Sequence, residues 1–387
     1  MTNTEKFFVE CVKKGIKGEQ VEALPEALDY TQFYRLCKSQ SMTVAVLKAL
    51  ESVKGELLPE FWATMKRSAR RRIMRDVQSQ YDVETVLSVF EEHGLKHMPL
   101  KGYHLKKLYP STDMRYTSDC DVLIDVAQLK EVRAVVEELG LKTERRDEHH
   151  DIVYYPATRT VLELHKCIFV GPLGKYFGIG FEKAHLKTGT KVCYEMSPED
   201  FYISILGHSA YHFAESAGVG IRHLTDVYVY KKAYALDYAY LDAELAKCGL
   251  LQFKNAFEKL ADYFFDDGDG DEFTKLLAKH VLESSVLANE DKKAAAEVAA
   301  NTDGNDTKAR KKSVRRKIFL PTEQMKFSYP VLKKAIWLLP FFHVVRWVQV
   351  LFTRPKAIKQ LKDYKAVDTD DLARMKEIRN GLGINDL

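Results

Sequence analysis

Apolar side chains recur three and four residues apart along much of the chain, the spacing that predicts amphipathic helices. Over residues 1–93 this spacing runs through "EKFFVECVKKGIKG" and through a longer segment that ends in "VLSVFEEHG". Gly94 closes the longer segment, at the position where a glycine commonly ends a helix. The N-terminal part of the chain is therefore predicted to be helical.

The pattern changes between about residue 95 and residue 195. The runs "HMPL" and "DVLIDV" are short and apolar and predict strands, whereas "KGYHLKKLYP" and "AQLKEVRAVVEELG" predict helices. The stretch Asp151–Phe169, "DIVYYPATRTVLELHKCIF", predicts a hairpin with its turn near Pro156–Arg159. Strands and helices that alternate in this way indicate a small α/β or α+β domain.

Helical spacing returns at Ser197, which forms a capping-box pattern with Asp200. The Ala-, Asp- and Asn-rich stretch Asn289–Thr307 predicts a flexible loop, and the basic run Lys308–Lys317 follows it. We therefore predict an α+β protein, whose small mixed β-sheet core with flanking helices is embedded in a predominantly helical chain. The predicted segments are a helical region over 1–93, the sheet-containing domain over 94–196, a helical domain over 197–285, a flexible charged segment over 286–317 and a C-terminal helical region over 318–387.

Composition narrows the classes of function. The net charge of +4 gives no strong overall field toward nucleic acid, so such binding would depend on a local basic cluster such as Lys308–Lys317. The six cysteines are scattered without a Cys-x-x-Cys pair, which favours a reducing compartment and argues against structural zinc. The first residues lack the pattern of a secretory signal, so we expect a cytoplasmic protein.

The most apolar segment of the chain is Ala335–Phe352. A membrane span needs roughly 20 mostly apolar residues, and this segment is interrupted by Pro340, His343 and Arg346. We predict a buried helix and no stable membrane insertion, with contact at a membrane surface as the alternative.

Three acidic residues lie in or beside predicted strands. Asp119 and Asp121 are two residues apart in "TSDCDVLID", so they share one face of a strand. Glu163 stands between Leu162 and Leu164 in the hairpin, where a carboxylate needs a partner or a metal ion. If these strands are neighbours, the three carboxylates converge and would select Mg²⁺ or Mn²⁺. Spacing alone leaves open whether the two aspartates form a metal site or a solvated turn.

A candidate phosphate-binding turn precedes these acids. In "PLKGYHL" a predicted strand ends at Gly102 before a helix, where backbone N–H groups suit phosphate. Lys101 adds a positive charge, and Arg115 lies a few residues before the aspartates. No Walker loop, Gly-x-Ser-x-Gly elbow or His-Glu-x-x-His motif occurs, and "DDGDGDEF" lacks the spacing of a calcium loop. The order of these elements matches the needs of nucleotide chemistry.

Four polar residues on two later helices form a second candidate group. His208 and His212 are four residues apart, as are Arg222 and Asp226. One reading is a buried polar network in which Arg222 and Asp226 form an ion pair; the other places Arg222 near a triphosphate. His165 is either a structural histidine or one that orders Glu163.

The segments "LKGYHLKKLYPSTDMRYTSDCDVLI", "LELH" and "IRHLTDVYVY" together resemble the bacterial nucleotidyltransferases of the DNA polymerase β-like superfamily, in particular the uncharacterised nucleotidyltransferase family. The resemblance covers roughly residues 90–235. It implies that Asp119 and Asp121 bind metal, and that Glu163 is the third acid, either as general base or as a further metal ligand. It also places Gly102 at the phosphate-binding turn, although Tyr103 stands where the superfamily has Gly or Ser.

The resemblance implies a magnesium-dependent enzyme that uses an NTP and a hydroxyl-bearing acceptor, which is a small molecule, a protein or an RNA end. The alternative is an inactive protein of the same fold that binds nucleotide or RNA.

Overall fold

The computed structural model describes residues 1–178, 180–285, 290–302, 305–353, 361, 363–364, 366–385 and 387. The chain forms two compact units. The first consists of residues 1–210, 219–287 and 387, and the second consists of residues 211–218 and 288–386.

Four helices occupy the N-terminal part of the first unit, as the apolar spacing predicts. They are α1 (Asn3–Lys17), α2 (Tyr30–Ser39), α3 (Thr43–Ala49) and α4 (Pro59–Glu92). A capping box between Thr2 and Glu5 begins α1, and Gly94, with a φ of 68°, follows the end of α4. The helical prediction for residues 1–93 is confirmed.

The sheet-containing part contains a five-stranded mixed sheet and a small two-stranded sheet. The strands are β1 (His97–Pro99), β2 (Asp119–Ile124), β3 (Lys142–Arg146), β4 (His150–Tyr154), β5 (Val161–His165), β6 (Ala184–Leu186) and β7 (Tyr194–Met196). The helices in this part are α5 (Gly102–Leu105), α6 (Leu129–Glu138) and α7 (Gly171–Phe177). The larger sheet has the order β1-β2-β5-β4-β3, and β2 and β5 are its parallel pair.

The two faces of this sheet differ in character. Cys120 and Val122 of β2 pack with Leu162 and Leu164 of β5 in a buried core. Val132 and Val135 of α6 join the same core. Because side chains alternate along a strand, the acidic residues between these apolar ones all point to the opposite face. The predicted hairpin is confirmed, since β4 and β5 pair antiparallel, and its strand β5 lies beside β2.

Five more helices complete the helical part that follows the sheet. They are α8 (Pro198–Ser216), α9 (Ile221–Ala233), α10 (Tyr238–Lys247), α11 (Leu251–Phe265) and α12 (Glu272–Glu283). Ser197 begins α8, because its hydroxyl oxygen accepts from the Asp200 backbone N–H at 3.1 Å. Residues 211–216 of α8 are grouped with the second unit.

The second unit is also helical in its described residues. Its helices are α13 (Glu290–Ala300), α14 (Asp306–Ile318), α15 (Thr322–Ser328), α16 (Leu339–Thr353) and α17 (Thr369–Leu382). The prediction of a flexible segment over 286–317 is therefore wrong for most of that range; residues 286–289 and 303–304 lie outside the described residues. Alanine has the highest helix propensity, and Ala295 and Ala296 are buried against Leu372 and Met375 of α17.

The apolar segment near the C-terminus is helical but not buried, so that prediction is wrong. Of the 18 residues from Ile336 to Thr353, 6% are buried, and this stretch is long and apolar enough to cross a membrane by length and composition. The physical reason for the error is that the segment has only one face packed against the rest of its unit. Phe341 and Val344 on the other face are 61% and 62% exposed.

Candidate active site

The parallel pairing of β2 and β5 brings the acidic residues together. Asp121 and Glu163 are direct neighbours in the register of the two strands. His165 follows Glu163 on the same face, and its Nε2 lies 3.2 Å from an Asp121 oxygen and 3.5 Å from a Glu163 oxygen. The ligand atoms of these three residues all lie within 4.8 Å of one another. Asp119 lies two residues before Asp121 on the same face of β2, and it is more exposed than Asp121.

The electrostatics of this face are dominated by its carboxylates. Desolvation by neighbouring protein atoms raises the pKa of Asp119, and the charges of Asp121 and Glu163 raise it further. Burial alone would lower the pKa of His165, but hydrogen bonds with Asp121 and Glu163 outweigh this effect and raise that pKa to about 9. The imidazole is therefore protonated at neutral pH and offsets part of the negative charge.

Lys101 supplies a second positive charge to the face. Its Nζ lies 3.6 Å from Asp121, and its side chain is 12% exposed. Burial lowers the pKa of Lys101, while the nearby carboxylates act in the opposite direction. The Lys101 Nζ also lies at hydrogen-bonding distance from Nδ1 of His208, whose ring stacks on His223. The structure thus brings Lys101 and His208 to the acidic face.

Gly102 follows Lys101 at the start of α5 and is closely packed. A Cβ atom at this position would lie 2.7 Å from the Thr117 methyl carbon and 3.0 Å from Nη1 of Arg115. Tyr103, the residue that departs from the superfamily pattern, packs against the apolar core and beneath the Lys107 ammonium group. The bulky side chain at position 103 is therefore accommodated on the core side of the turn.

Arg115 forms an ion pair with Asp226, the residue for which the sequence suggested Arg222 as a partner. Its Nε and Nη2 donate to the two oxygens of Asp226 at 2.6 and 2.7 Å, and both side chains are buried. The structure therefore does not form the Arg222–Asp226 ion pair of one of the two readings: Asp226 is bound to Arg115, and Nη1 of Arg222 donates to the Tyr116 carbonyl at 3.0 Å. A bidentate Arg–carboxylate pair is stronger than a single hydrogen bond to the carboxylate.

Each of these two arginines keeps a buried nitrogen without a hydrogen-bond partner. These atoms are Nη1 of Arg115 and Nε of Arg222. Burial lowers the pKa of Arg222, and the neighbouring Arg115 contributes in the same direction. A buried unpaired donor costs free energy unless a ligand accepts from it, so both nitrogens are candidate donors to an anion, and Nη1 of Arg115 lies beside Gly102.

The last candidate, His212, lies in the C-terminal part of α8. It belongs to the stretch of α8 grouped with the second unit, where its ring meets Tyr211 at a centroid distance of 6.1 Å.

Two supporting interactions were not predicted from the sequence. The Tyr109 hydroxyl donates to Asp226 at 2.8 Å, and Lys106 forms a buried 2.7 Å ion pair with Asp76 of α4. The partners are separated by 117 and 30 residues, and no local spacing marks them. They fix α9 and α4 to the turn that carries Gly102.

The donor set of the face fits a hard divalent cation. Asp119, Asp121 and Glu163 supply carboxylate oxygens, which Mg²⁺ and Mn²⁺ prefer. His165 lies within the same cluster, where its protonated imidazole contacts two of these carboxylates and is not itself a ligand. The residues present therefore fit the ion that the sequence predicts.

Comparison with known proteins gives a match to a protein family. A family model described as "Uncharacterised nucleotidyltransferase" matches residues 26–266, a range that includes every residue of the acidic face. No curated protein matches the chain. Among solved structures, the solution structure of the antibiotic-resistance factor ANT(2'')-Ia is similar at 11% identity and a TM-score of 0.34, over 44% of this chain and 91% of that one.

Proposed function

The chain belongs to the uncharacterised nucleotidyltransferase family and is a transferase, and on this premise we propose that it moves an NMP group from an NTP to a hydroxyl-bearing acceptor with the help of Mg²⁺ or Mn²⁺. The acceptor is a small molecule, a protein side chain or an RNA end, and the reaction takes place in the cytoplasm. The observation that carries the proposal is the convergence of Asp119, Asp121 and Glu163 on one face of the β2–β5 pair.

Asp119, Asp121 and Glu163 are the residues that would hold the metal. A bound divalent ion neutralises phosphate charge and lowers the pKa of an attacking hydroxyl. His165 contacts both Asp121 and Glu163 and orients the two carboxylates. Three carboxylates lie together with two cationic side chains that contact them, Lys101 and His165. The face therefore has a net negative charge that a bound cation can offset.

The phosphates would bind beside the Gly102 turn. Lys101 lies next to the acidic face, and the unpaired nitrogens of Arg115 and Arg222 can donate to phosphate oxygens. The acceptor oxygen forms a bond with the α-phosphorus, the bond from that phosphorus to the bridging oxygen breaks, and pyrophosphate leaves. The proton of the acceptor hydroxyl passes to Glu163 or to solvent.

Labelling by each of the four NTPs tests this function. The protein is incubated with one α-labelled NTP, Mg²⁺ and cell extract, and the labelled product is identified. Asp121→Asn should abolish the label. Asp125→Asn is the matched control, because Asp125 lies just after β2 and outside the acidic face. The Asp125 side chain accepts a hydrogen bond from the Ala127 N–H, and an asparagine side chain can accept the same bond. The absence of labelling with every NTP, by folded protein, would count against the transferase proposal.

The inactive alternative makes a different prediction. An NTP-binding protein without activity would bind NTP and Mg²⁺ equally well when both Asp119 and Asp121 are replaced by asparagine. Calorimetric titration of the double variant separates the two functions, because the proposed transferase loses metal-dependent NTP binding.

A further inference from the structure

The second unit exposes a continuous apolar stripe along α16 and the turn before it. The stripe consists of five side chains at helical spacing, which are 76%, 61%, 62%, 49% and 85% exposed: Trp337, Phe341, Val344, Val348 and Phe352. Water-exposed apolar stripes of this kind mark surfaces that bind a partner or a membrane. The stripe is remote in sequence from the residues of the acidic face and plays no part in the proposed transfer.

The orientation of the stripe is fixed by the opposite face of the helix. Trp347 Nε1 donates to the Ile318 carbonyl at 2.8 Å, and Arg346 donates to the carbonyls of Lys317 and Ile318 at 3.3 and 3.2 Å. The Tyr329 hydroxyl donates to the Gln349 side chain at 2.7 Å. The polar side of the helix thus faces its own unit, and the apolar side faces outward.

The same region carries a large local positive charge. Between residues 308 and 353 the sequence has eleven lysines and arginines and one acid, Glu323, a net charge of +10, whereas the whole chain has +4. Seven of these basic residues are exposed: Lys308, Lys311, Lys312, Arg315, Arg316, Lys333 and Lys334. The rest of the chain consequently has a net negative charge, so the positive charge is concentrated beside the apolar stripe.

We propose that residues 308–353 dock on an anionic phospholipid bilayer, with α16 lying in the plane of the interface. Apolar side chains of an interfacial helix enter the boundary between headgroups and acyl chains, and neighbouring lysines and arginines bind the negative headgroups. Trp337 near the end of the stripe has the amphipathic ring that favours this boundary.

Other occupants fit these observations less well. A second copy of the chain would bring two surfaces of net charge +10 together, and like charges repel. RNA would account for the basic residues but not for the apolar stripe. A transmembrane orientation conflicts with Arg346, which is bound to two backbone carbonyls of its own unit, and with Pro340 within the segment. A bilayer surface accounts for both the charge and the stripe.

Vesicle sedimentation tests the docking. The full-length protein is mixed with vesicles of phosphatidylcholine alone or of equal parts phosphatidylcholine and phosphatidylglycerol. We expect binding to the anionic vesicles that is at least about tenfold stronger and that falls with added salt. Equal binding to both vesicles, or no binding, would overturn the proposal, as would extraction-resistant insertion at high pH or displacement from vesicles by RNA.

Substitutions locate the surface. Val344→Asp with Val348→Asp should weaken vesicle binding at least about tenfold, because two charges would enter the interface. Met74→Asp with Val77→Asp is the matched control, since these α4 side chains are each 63% exposed and lie near the arginines of that helix. Equal weakening by both pairs would contradict a role for α16.

Tryptophan fluorescence gives a readout independent of sedimentation. The chain has three tryptophans, and Trp337 is 76% exposed. Anionic vesicles should shift the emission to shorter wavelength, and lipids with brominated chains should quench it. Trp337→Phe should remove most of the shift while the protein still sediments with vesicles. An undiminished shift in Trp337→Phe would place the contact elsewhere.

Asp121→Asn should leave vesicle binding unchanged, so failure of the transferase and failure of the docking are distinguishable.

Discussion

The carboxylates on the two faces of the five-stranded sheet differ in how far cationic side chains offset their charge. On the core side Asp151 is 1% exposed, and it accepts from Arg133 at 2.7 and 3.2 Å and from Lys166 at 2.7 Å. Burial raises its pKa, but these hydrogen bonds outweigh that effect, so the pKa of Asp151 is lowered. One carboxylate therefore has two cationic partners within the protein.

The opposite face has the reverse balance. Asp119, Asp121 and Glu163 lie together, with Lys101 and His165 as the cations that contact them directly. The pKa of Asp119 is raised rather than lowered. A carboxylate that only stabilises the fold has its charge offset by side chains, whereas this face has carboxylates in excess. This difference is why we propose that the acids of this face, and not Asp151, serve a ligand.

The largest expected effect comes from a substitution of Asp121, which tests whether this acid serves a ligand rather than the stability of the fold. Asp121→Asn should reduce transfer activity by at least about 10³-fold, or roughly 4 kcal/mol in activation free energy. The free energy of unfolding should change little, because the relief of like-charge repulsion on Asp119 opposes the loss of the Asp121 contact with His165. Steady-state labelling and urea unfolding measure the two quantities. Activity above a tenth of the wild-type value would show that Asp121 is not a metal ligand.

Asp151→Asn should show the opposite behaviour. Removing one member of a buried charge cluster leaves Lys166 and Arg133 without their anion, which costs about 3 kcal/mol in unfolding free energy. Activity measured well below the unfolding temperature should change less than about twofold. Glu137→Gln is the control, since Glu137 is an exposed partner of Arg146 and such pairs contribute less than about 1 kcal/mol. Equal destabilisation by the two variants would refute the comparison.

Local pattern predicted which acidic side chains share a strand face, whereas the pairing of β2 with β5 comes from the structure. The alternation of Asp119 and Asp121 with Cys120 and Val122 fixes which side chains share a face, and the apolar neighbours of Glu163 mark the second strand. The helices over 1–93 and the β4–β5 hairpin follow from the same periodicities. The roles of these residues stay predictions, because position alone does not measure metal binding.

Interactions between distant segments could not be predicted in this way. Arg115 and Asp226 are 111 residues apart, and the spacing of Arg222 and Asp226 suggested a helical pair that the structure does not form. The apolar segment at α16 was predicted as buried because hydropathy does not reveal whether a partner element packs on each face. Long-range packing, rather than local propensity, decides both cases.

The pH dependence of stability reports on His165. Its pKa is raised from the ordinary 6.5 to about 9, so the folded protein holds a proton that the unfolded chain releases between these values. The stabilisation is complete below about pH 6.5 and is lost as the pH rises through about 9, a change of about 3 kcal/mol. Urea unfolding in EDTA across this range measures it. His165→Gln should flatten the slope, whereas the control His149→Gln, at an exposed position, should keep it.

The smallest expected effect concerns the turn beside the acids. In Gly102→Ala the new methyl group would lie 2.7 Å from the Thr117 methyl carbon and 3.0 Å from Nη1 of Arg115. Both side chains must move, so we expect KM for NTP to rise about tenfold, or roughly 1.4 kcal/mol. Gly55→Ala is the control, because nothing lies within 4 Å of that position.

A second substitution identifies the cause of the Gly102→Ala defect. Thr117→Ser removes the contacting methyl carbon and keeps the hydroxyl. If the clash with Thr117 displaces the turn, Gly102→Ala combined with Thr117→Ser should recover most of the lost affinity, and a double-mutant cycle gives the coupling. If the combined variant binds NTP as weakly as Gly102→Ala alone, Arg115 is the group that has moved. In that case the anion contact is made by the guanidinium rather than by the backbone of the turn.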